Sequence, residues 1–492
     1  MTIETRKSKV EKSLPPGPRS GLPGRLFLQL RRDPLAFLTR LTQTYGDITT
    51  FTSLGRRYVV LNHPDLAKEV LLTQADAFWK GPALQNSKDV LGDGLLTAEG
   101  ETHRSQRRLM QPAFHAKRVE AYAGDVLDCT RSLCDTLQKA GDGIAGVCDH
   151  SGTRVPFTTD IRPHMMRLTL LIAGRALFGT LLEEETNLVA DSMDALMGSY
   201  SRTVVPWGKL LNRIPLPSTL RLRKAQQQLR ALVARMIAKR RGEQSWSGCP
   251  KNDLLSTLIA ATDPEHQGAK LTDTQLRDQA ITILTAGHET TANAMTFTLY
   301  LLAKHPHEQQ KLREEIAVIL GSREPMIGDL DNLKQTRNVL SESMRLLPPA
   351  WTIGRQNQRP IELAGYHIPS KCTVLIPQWT LHRDARFFPD PLTFNPDRWN
   401  NANVPRFAYL PFSTGPRNCI GESFAWIEML LALPMLLRKF QFTLADAAAD
   451  IPLTPAITLR PAKPVLLTVA SVSALSSAMP LVPSSDVDLP GF

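Results

Sequence analysis

Apolar positions recur with a helical period across most of residues 63 to 350, while strand-like alternation appears only in short stretches before and after that zone. The opening "SLPPGPRSGLPG" is too rich in proline and glycine to be helical, and a helical pattern then runs from Asp33 to Tyr45. "DITTFTSLGRRYVVLN" predicts a β-hairpin turning at Gly55. Polar or proline-rich breaks interrupt the helical zone near residues 81–94, 141–158, 203–217 and 242–250. From Trp351 to Val374 short β-type runs return, and "HRDARFFPDPLTFNPDRWNNANVPRFAYLPF" follows with no period at all. An irregular segment of that length is usually functional. A last helix is predicted over "IGESFAWIEMLLALPMLLRKF", with a kink at Pro434. The pattern predicts a predominantly α protein with small β-sheets: a helix-rich domain with a minor β-rich region. Its expected divisions are a basic, proline-rich lead-in (1–20), one main domain (21–470) and a disordered tail (471–492).

The longest uninterrupted pattern is "LTDTQLRDQAITILTAGHETTANAMTFTLYLLAKHP". Thr272 and Gln275 stand in capping-box spacing at its start and Pro306 ends it, so a helix of roughly 33 residues and ~50 Å is expected. Its middle, "AGHETT", sets Ala286 and Gly287 beside Glu289, Thr290 and Thr291. Taken alone, such residues need do no more than permit tight packing or a bend.

Composition adds limits. The chain has 492 residues, 42% hydrophobic and 21% charged, enough to bury a large core. Its net charge of +11 suits solubility, an acidic partner, an anionic surface or nucleic acid, but no clustered basic stripe supports the last. No run reaches the ~18 apolar residues of a membrane span, and the charged N-terminus is unlike a signal peptide. Six cysteines without a CxxC pair favour a reducing compartment, so a soluble cytoplasmic protein is expected. Two motifs fail on context. "GDGIAG" (Gly141 to Gly146) follows a helical pattern where a dinucleotide site needs a strand, which leaves a flexible loop. "HETTA" at His288 has Ala292 where a zinc protease needs its second histidine.

In "PFSTGPRNCIGE" two glycines, two prolines and an arginine surround Cys419 just before the last helix. A lone cysteine is ordinarily an inert core thiol. A metal-binding thiolate, however, needs N–H donors, a helix N-terminus or positive charge, and this stretch offers all three. Gly415 and Gly421 would allow unusual backbone angles and the close approach of a flat ligand.

The spacing Phe412, Gly415, Arg417, Cys419, Gly421 resembles the haem-binding loop of the cytochrome P-450 family, FxxGxRxCxG, and the resemblance extends from about Leu14 to Val469. It implies a haem-thiolate monooxygenase with Cys419 as axial ligand of haem b (iron protoporphyrin IX). Glu289 and Thr290 would be its acid–alcohol proton relay, with His288 incidental. Glu342 and Arg345 resemble the family's buried ExxR pair and Arg398, in "FNPDRW", its third member, a structural triad bracing the cysteine loop. His103, where many relatives carry tryptophan, Arg107 one turn later, Arg355 and Arg417 would contact the haem propionates. By family position the segments 78–96 and 204–214 with Ile283, Ala286, Trp351 and Ile353 would line a pocket for an apolar terpenoid, fatty acid, steroid or polyketide. No flavin, nucleotide or iron–sulfur motif is present, so electrons from NAD(P)H would arrive through a ferredoxin or flavodoxin with its reductase, to a monomer. A hydrogen-peroxide-using peroxygenase, whose relatives carry Arg-Pro in place of Glu289-Thr290, and a non-catalytic haem-thiolate sensor are the alternatives.

Overall fold

The computed structural model describes residues 14–18, 24–144, 156–180, 182–203, 205, 208–247, 253–263, 269–400, 403–446 and 450–472. After a short helix, Arg25–Arg32, helix α1 (Pro34–Tyr45) begins where Asp33 accepts a hydrogen bond from the Ala36 N–H and Pro34 supplies a preset backbone angle. The hairpin of β1 (Ile48–Ser53) and β2 (Arg56–Leu61) turns through Gly55 at φ 73°. A short β3 (Phe78–Lys80) and α2 (Gly100–Met110) precede the long helix α3 (Ala123–Ile144). Then come β4 (Phe157–Asp160), α4 (Ile161–Ile172), α5 (Thr186–Thr203) and α6 (Pro217–Ser247).

The central helix α7 spans Asp273–Lys304, and both hydrogen bonds of its capping box form: Gln275 N–H to Thr272 Oγ1 at 3.2 Å and Thr272 N–H to Gln275 Oε1 at 2.9 Å. Such a helix has no solvent face, so its polar residues must be satisfied inside. Thr285, Thr296 and Thr298 accordingly donate to carbonyls one turn back. After α8 (Lys334–Leu346), β5 (Ile353–Asn357) and β6 (Thr373–Ile376) join the first three strands in a five-stranded sheet of order β1-β2-β6-β5-β3. Helix α9 (Glu422–Lys439) continues through Pro434 and is buried along its C-terminal half. The described residues end with β7 (Phe440–Leu444), a hairpin of β8 (Leu453–Pro455) and β9 (Leu459–Pro461), and β10 (Leu466–Ser471), which pairs with both β7 and β4.

The largest apolar core gathers α3, α4, α7 and α9, and a second one backs the five-stranded sheet. Among the described residues no helix is long and apolar enough to cross a membrane.

Several expected breaks are partly helical. Residues 81–94 contain two short helices, Pro82–Asn86 and Lys88–Leu91, and 203–217 contains the turn Gly208–Leu211. A four- or five-residue helix is too short to show a period. Helix α6 runs past Gly242 to Ser247, because one exposed glycine costs a helix only about 1 kcal/mol. Gly141 lies inside α3 rather than in a loop. The expected tail from residue 473 onward lies outside the described residues, as do most of the lead-in and the centre of the 141–158 break.

Candidate haem and oxygen site

The irregular segment before α9 is held by a buried charge network. Glu342 and Arg345, both fully buried on α8, meet in a bidentate pair at 2.8 Å and 2.8 Å. Arg398 Nε adds a third bond to Glu342 at 2.9 Å, and the Asn395 N–H and Trp399 Nε1 add two more at 3.0 Å each. Arg345 spends its remaining donors on the carbonyls of His382, Pro391 and Thr393. Both ions thereby recover in the interior the bonds lost with water, the condition under which a buried pair holds. The network reaches the cysteine loop through His382, whose Nε2 accepts the Leu410 N–H at 2.9 Å, and Tyr409, whose hydroxyl donates to Ser341 O.

Within the loop, the Cys419 N–H closes back on Phe412 O at 2.9 Å and the Asn418 N–H on Gly415 O at 3.0 Å. Gly415 sits at φ 76°, and a Cβ there would lie 2.0 Å from Leu71 O, so only glycine fits. Gly421 corrects the sequence expectation of unusual angles. Its φ is −91°, an ordinary value, and a Cβ would meet only Phe114 at 3.9 Å.

Cys419 is accessible to solvent although the surrounding protein desolvates its sulfur. Burial pushes its thiol up to about 11, opposed by the Gly421 N–H and by Arg107. The positive surroundings read from the sequence are thus outweighed by desolvation, and the proton leaves only when a cation takes its place. Arg107 is turned to the loop itself, donating to Asn418 O at 2.8 Å and to its side chain at 2.5 Å.

Beside the loop lies a cluster of cations. Burial, followed by Lys80, Arg417, Arg107 and Arg355, holds His103 neutral down to about 3. Burial likewise pushes Lys80 down to about 7 and Arg355 down to about 10. One carboxylate, Glu99, answers them: it pairs with Arg417 and accepts the Lys80 N–H at 2.7 Å. Lys80 Nζ finds only carbonyls, Leu95 O at 2.6 Å and Ala98 O at 3.0 Å, and Arg417 Nη1 is buried without a partner. A ligand bearing two carboxylates would complete this site, and haem carries two propionates. An accessible thiol and surplus buried positive charge together fit haem. Lys80 and Glu99 were missed in the sequence, where nothing local marks them; β3 pairing with β5 sets Lys80 opposite Arg355.

A cavity of about 470 Å³ lies against the middle of α7. Ala286, Glu289 and Thr290 line it with Leu91, Leu96 and Trp351, so apolar surface dominates. Ala286 is accessible to solvent, and Gly287 and Thr290 partly so, between buried turns of the helix. Thr290 donates to Ala286 O at 2.7 Å, one turn back on the same helix. Glu289 is buried; it accepts from Thr458 Oγ1 at 2.9 Å, and its Oε2 has no partner. Burial raises its carboxyl above the usual range, with Thr458, Arg460 and Arg162 pulling the other way. His288 points away, with Nδ1 2.9 Å from Thr169 Oγ1, and burial holds it neutral to about 3. Ile283 and Ile353 correct the pocket expectation: both are packed in the apolar cores and neither lines the cavity. Of the expected segment 78–96, Gly81 to Leu84 with Leu91 and Leu96 do line it, whereas Phe78 belongs to the core. In the expected stretch 204–214, Val204, Pro206 and Trp207 lie outside the described residues.

Comparison with known proteins agrees with this geometry. The cytochrome P-450 family model matches residues 15–469. Cyclooctat-9-en-7-ol 5-monooxygenase of Streptomyces melanosporofaciens is 35% identical over 425 residues, 84% of this chain and 86% of that protein. Cyclooctatin synthase of the same organism is 36% identical over 422 residues, with the same coverage. Pentalenene oxygenase of Streptomyces avermitilis is 32% identical over 439 residues, 88% of this chain and 92% of that protein. A thiol loop braced by buried charge, a cationic cradle and a family match across nearly the whole length lead to one conclusion: the chain belongs to the cytochrome P-450 family and is a haem-dependent monooxygenase.

Proposed function

We propose that this monooxygenase hydroxylates an apolar, terpenoid-class small molecule held in the cavity beside α7, with Glu289 and Thr290 governing proton supply. The observation that carries this reading is the adjacency on the cavity wall of a threonine hydroxyl and a carboxyl made less acidic by burial. Cys419 would ligate the haem iron, and His103, Lys80, Arg355 and Arg417 would hold the propionates, with Arg107 fixing the loop that carries the thiol. When bound, haem supplies dioxygen activation, its thiolate ligand favouring O–O cleavage. The residues of the chain do the rest. Leu91, Leu96 and Trp351 exclude water and hold an apolar substrate. Thr290 Oγ1 offers a hydroxyl at the cavity surface, and Glu289 keeps a proton available next to it.

The names of the relatives support the substrate class, since one names cyclooctat-9-en-7-ol and another pentalenene. The net charge of +11 would favour encounter with an acidic ferredoxin or flavodoxin, which with its reductase would bring electrons from NAD(P)H.

The test is turnover of a terpenoid substrate under ¹⁸O₂ with ferredoxin and its reductase. One labelled oxygen atom per product supports the reading. Equal turnover from hydrogen peroxide without a reductase would assign a peroxygenase, and haem reduction and CO binding with no product from any substrate class a sensor. In Thr290→Ala, product per electron should fall by about 10²-fold, the low end of what a positioned proton-transfer group contributes, with peroxide released instead and haem content unchanged. Unaltered coupling would refute the role of Thr290.

A further inference from the structure

Two leucines of the cavity wall, Leu91 and Leu96, flank a stretch of irregular backbone, residues 92–95 or "GDGL". That stretch lies directly on α7, about three turns before Thr290. Asp278 Oδ2 accepts the Asp93 N–H at 2.9 Å, and Gln279 Oε1 accepts the Leu95 N–H at 2.9 Å. Both acceptors are buried, and Arg277 Nη2 holds the other oxygen of Asp278 at 2.8 Å, so the carboxylate is paired and fixed in place. The approach is close enough to require glycine on each side of Asp93. A Cβ on Gly92 would clash with Asp278 Cγ, and one on Gly94 with Thr282 Oγ1 and, at 2.6 Å, with Asp278 O. From the other side, Gln106 Nε2 donates to Asp93 O at 2.8 Å and Lys80 Nζ to Leu95 O at 2.6 Å.

We propose that Asp278 and Gln279 are positioning residues for the substrate: they clamp residues 92–95 to α7 and thereby set where Leu91 and Leu96 stand, and with them the size of apolar molecule the cavity accepts. The proposal rests on the reading of that cavity as the substrate site. Neither Asp278 nor Gln279 lines the cavity, so both act through the leucines. A leucine side chain makes no directional bond, and its position is inherited from the backbone that carries it. Here that backbone is tied to α7 by two N–H bonds, one of them to a charged acceptor. Without the tie to Asp278 the stretch spends part of its time away from the helix. The wall is then complete only in a fraction of molecules, and the apparent Kd rises by the inverse of that fraction. A receding wall also admits bulkier molecules, so discrimination by size is lost together with affinity.

The test uses the haem-loaded protein and reads the spin-state shift of its Soret band with a series of terpene hydrocarbons graded in bulk from limonene to longifolene. In Asp278→Ala the Kd of limonene should rise about 10-fold, as for a wall complete about a tenth of the time, with haem content unchanged. The Kd of longifolene should rise less or fall, so the ratio of the two drops. Asp278→Asn keeps an oxygen that can accept from the Asp93 N–H and should restore most of the parent ratio. Should Asp278→Ala not fold, Gly94→Ala lifts the same stretch by a Cβ against Thr282 without changing a side chain of α7, and should move the ratio the same way. A parent-like ratio in either folded variant, whatever its stability, overturns the clamp and leaves the cavity reading intact. A parent protein that no member of the series shifts overturns the cavity reading, and the clamp with it.

Discussion

The brace around Glu342 and the wall of the cavity around Glu289 are built on opposite terms. Each centres on one buried glutamate carried by a helix. Glu342 receives five hydrogen bonds from four residues, Arg345, Asn395, Arg398 and Trp399. Glu289 receives one, and its other carboxyl oxygen, Oε2, has no partner among the described residues. The first arrangement fixes a geometry. The second leaves capacity for what enters the cavity, substrate or water, because unpaired buried groups gain most when a partner arrives. Rigidity is spent on presenting the thiol, and freedom is kept where the reaction occurs.

Removing the centre of the brace should produce the largest effect. Glu342→Ala leaves Arg345 charged and fully buried, so a loss of ~3–5 kcal/mol is expected, together with loss of haem, read by thermal unfolding and haem content. Glu289→Gln should leave both unchanged. If the two variants are equally stable, the contrast between the regions is wrong.

The loop glycines sharpen the same point. Gly415→Ala must accept both a left-handed backbone and a Cβ against Leu71 O, and should cost about 1–3 kcal/mol. Gly421→Ala meets neither constraint and should change the stability of the haem-free protein by less than about 0.5 kcal/mol, in the same unfolding measurement. Equal losses would show that the loop is not held as described.

The cation cradle predicts a pH dependence. Lys80 titrates near 7 in the folded protein but at its ordinary value of 10.5 when unfolded. Between these values the unfolded chain binds the extra proton, so the stability of the haem-free protein should rise with pH from about 7 to 10.5, at up to about 1.4 kcal/mol per unit. Below 7 both states are protonated and this slope ends. Lys80→Met should abolish it, and haem loading should flatten it, since added carboxylates favour charged Lys80. Urea unfolding at stepped pH measures all three, and a slope that survives Lys80→Met would remove Lys80 from the cradle.

What the sequence made legible follows from distance along the chain. Glu342 and Arg345 are one helical turn apart, and the cysteine loop is a single short stretch, so both could be read as patterns. Lys80 and Arg355 meet only because β3 pairs with β5, a register that no local spacing announces. Trp399 and His382 serve the brace from an aperiodic segment whose order comes from Glu342 and Arg345, not from its own propensities. Ile283 and Ala286 share a helix face, yet one packs in the core and the other borders the cavity. Where a cavity ends is decided by neighbouring elements. Gly415 and Gly421 look alike in the sequence; a left-handed backbone and the neighbouring Leu71 carbonyl set Gly415 apart.

All of these contrasts depend on Cys419 presenting its sulfur to haem iron. The most direct measurement is the absorption spectrum of the purified protein after reduction and exposure to carbon monoxide. The parent protein should show the red-shifted Soret band of a thiolate-ligated haem, and Cys419→Ser should lose it. A parent protein without that band, or a serine variant that keeps it, would contradict the account.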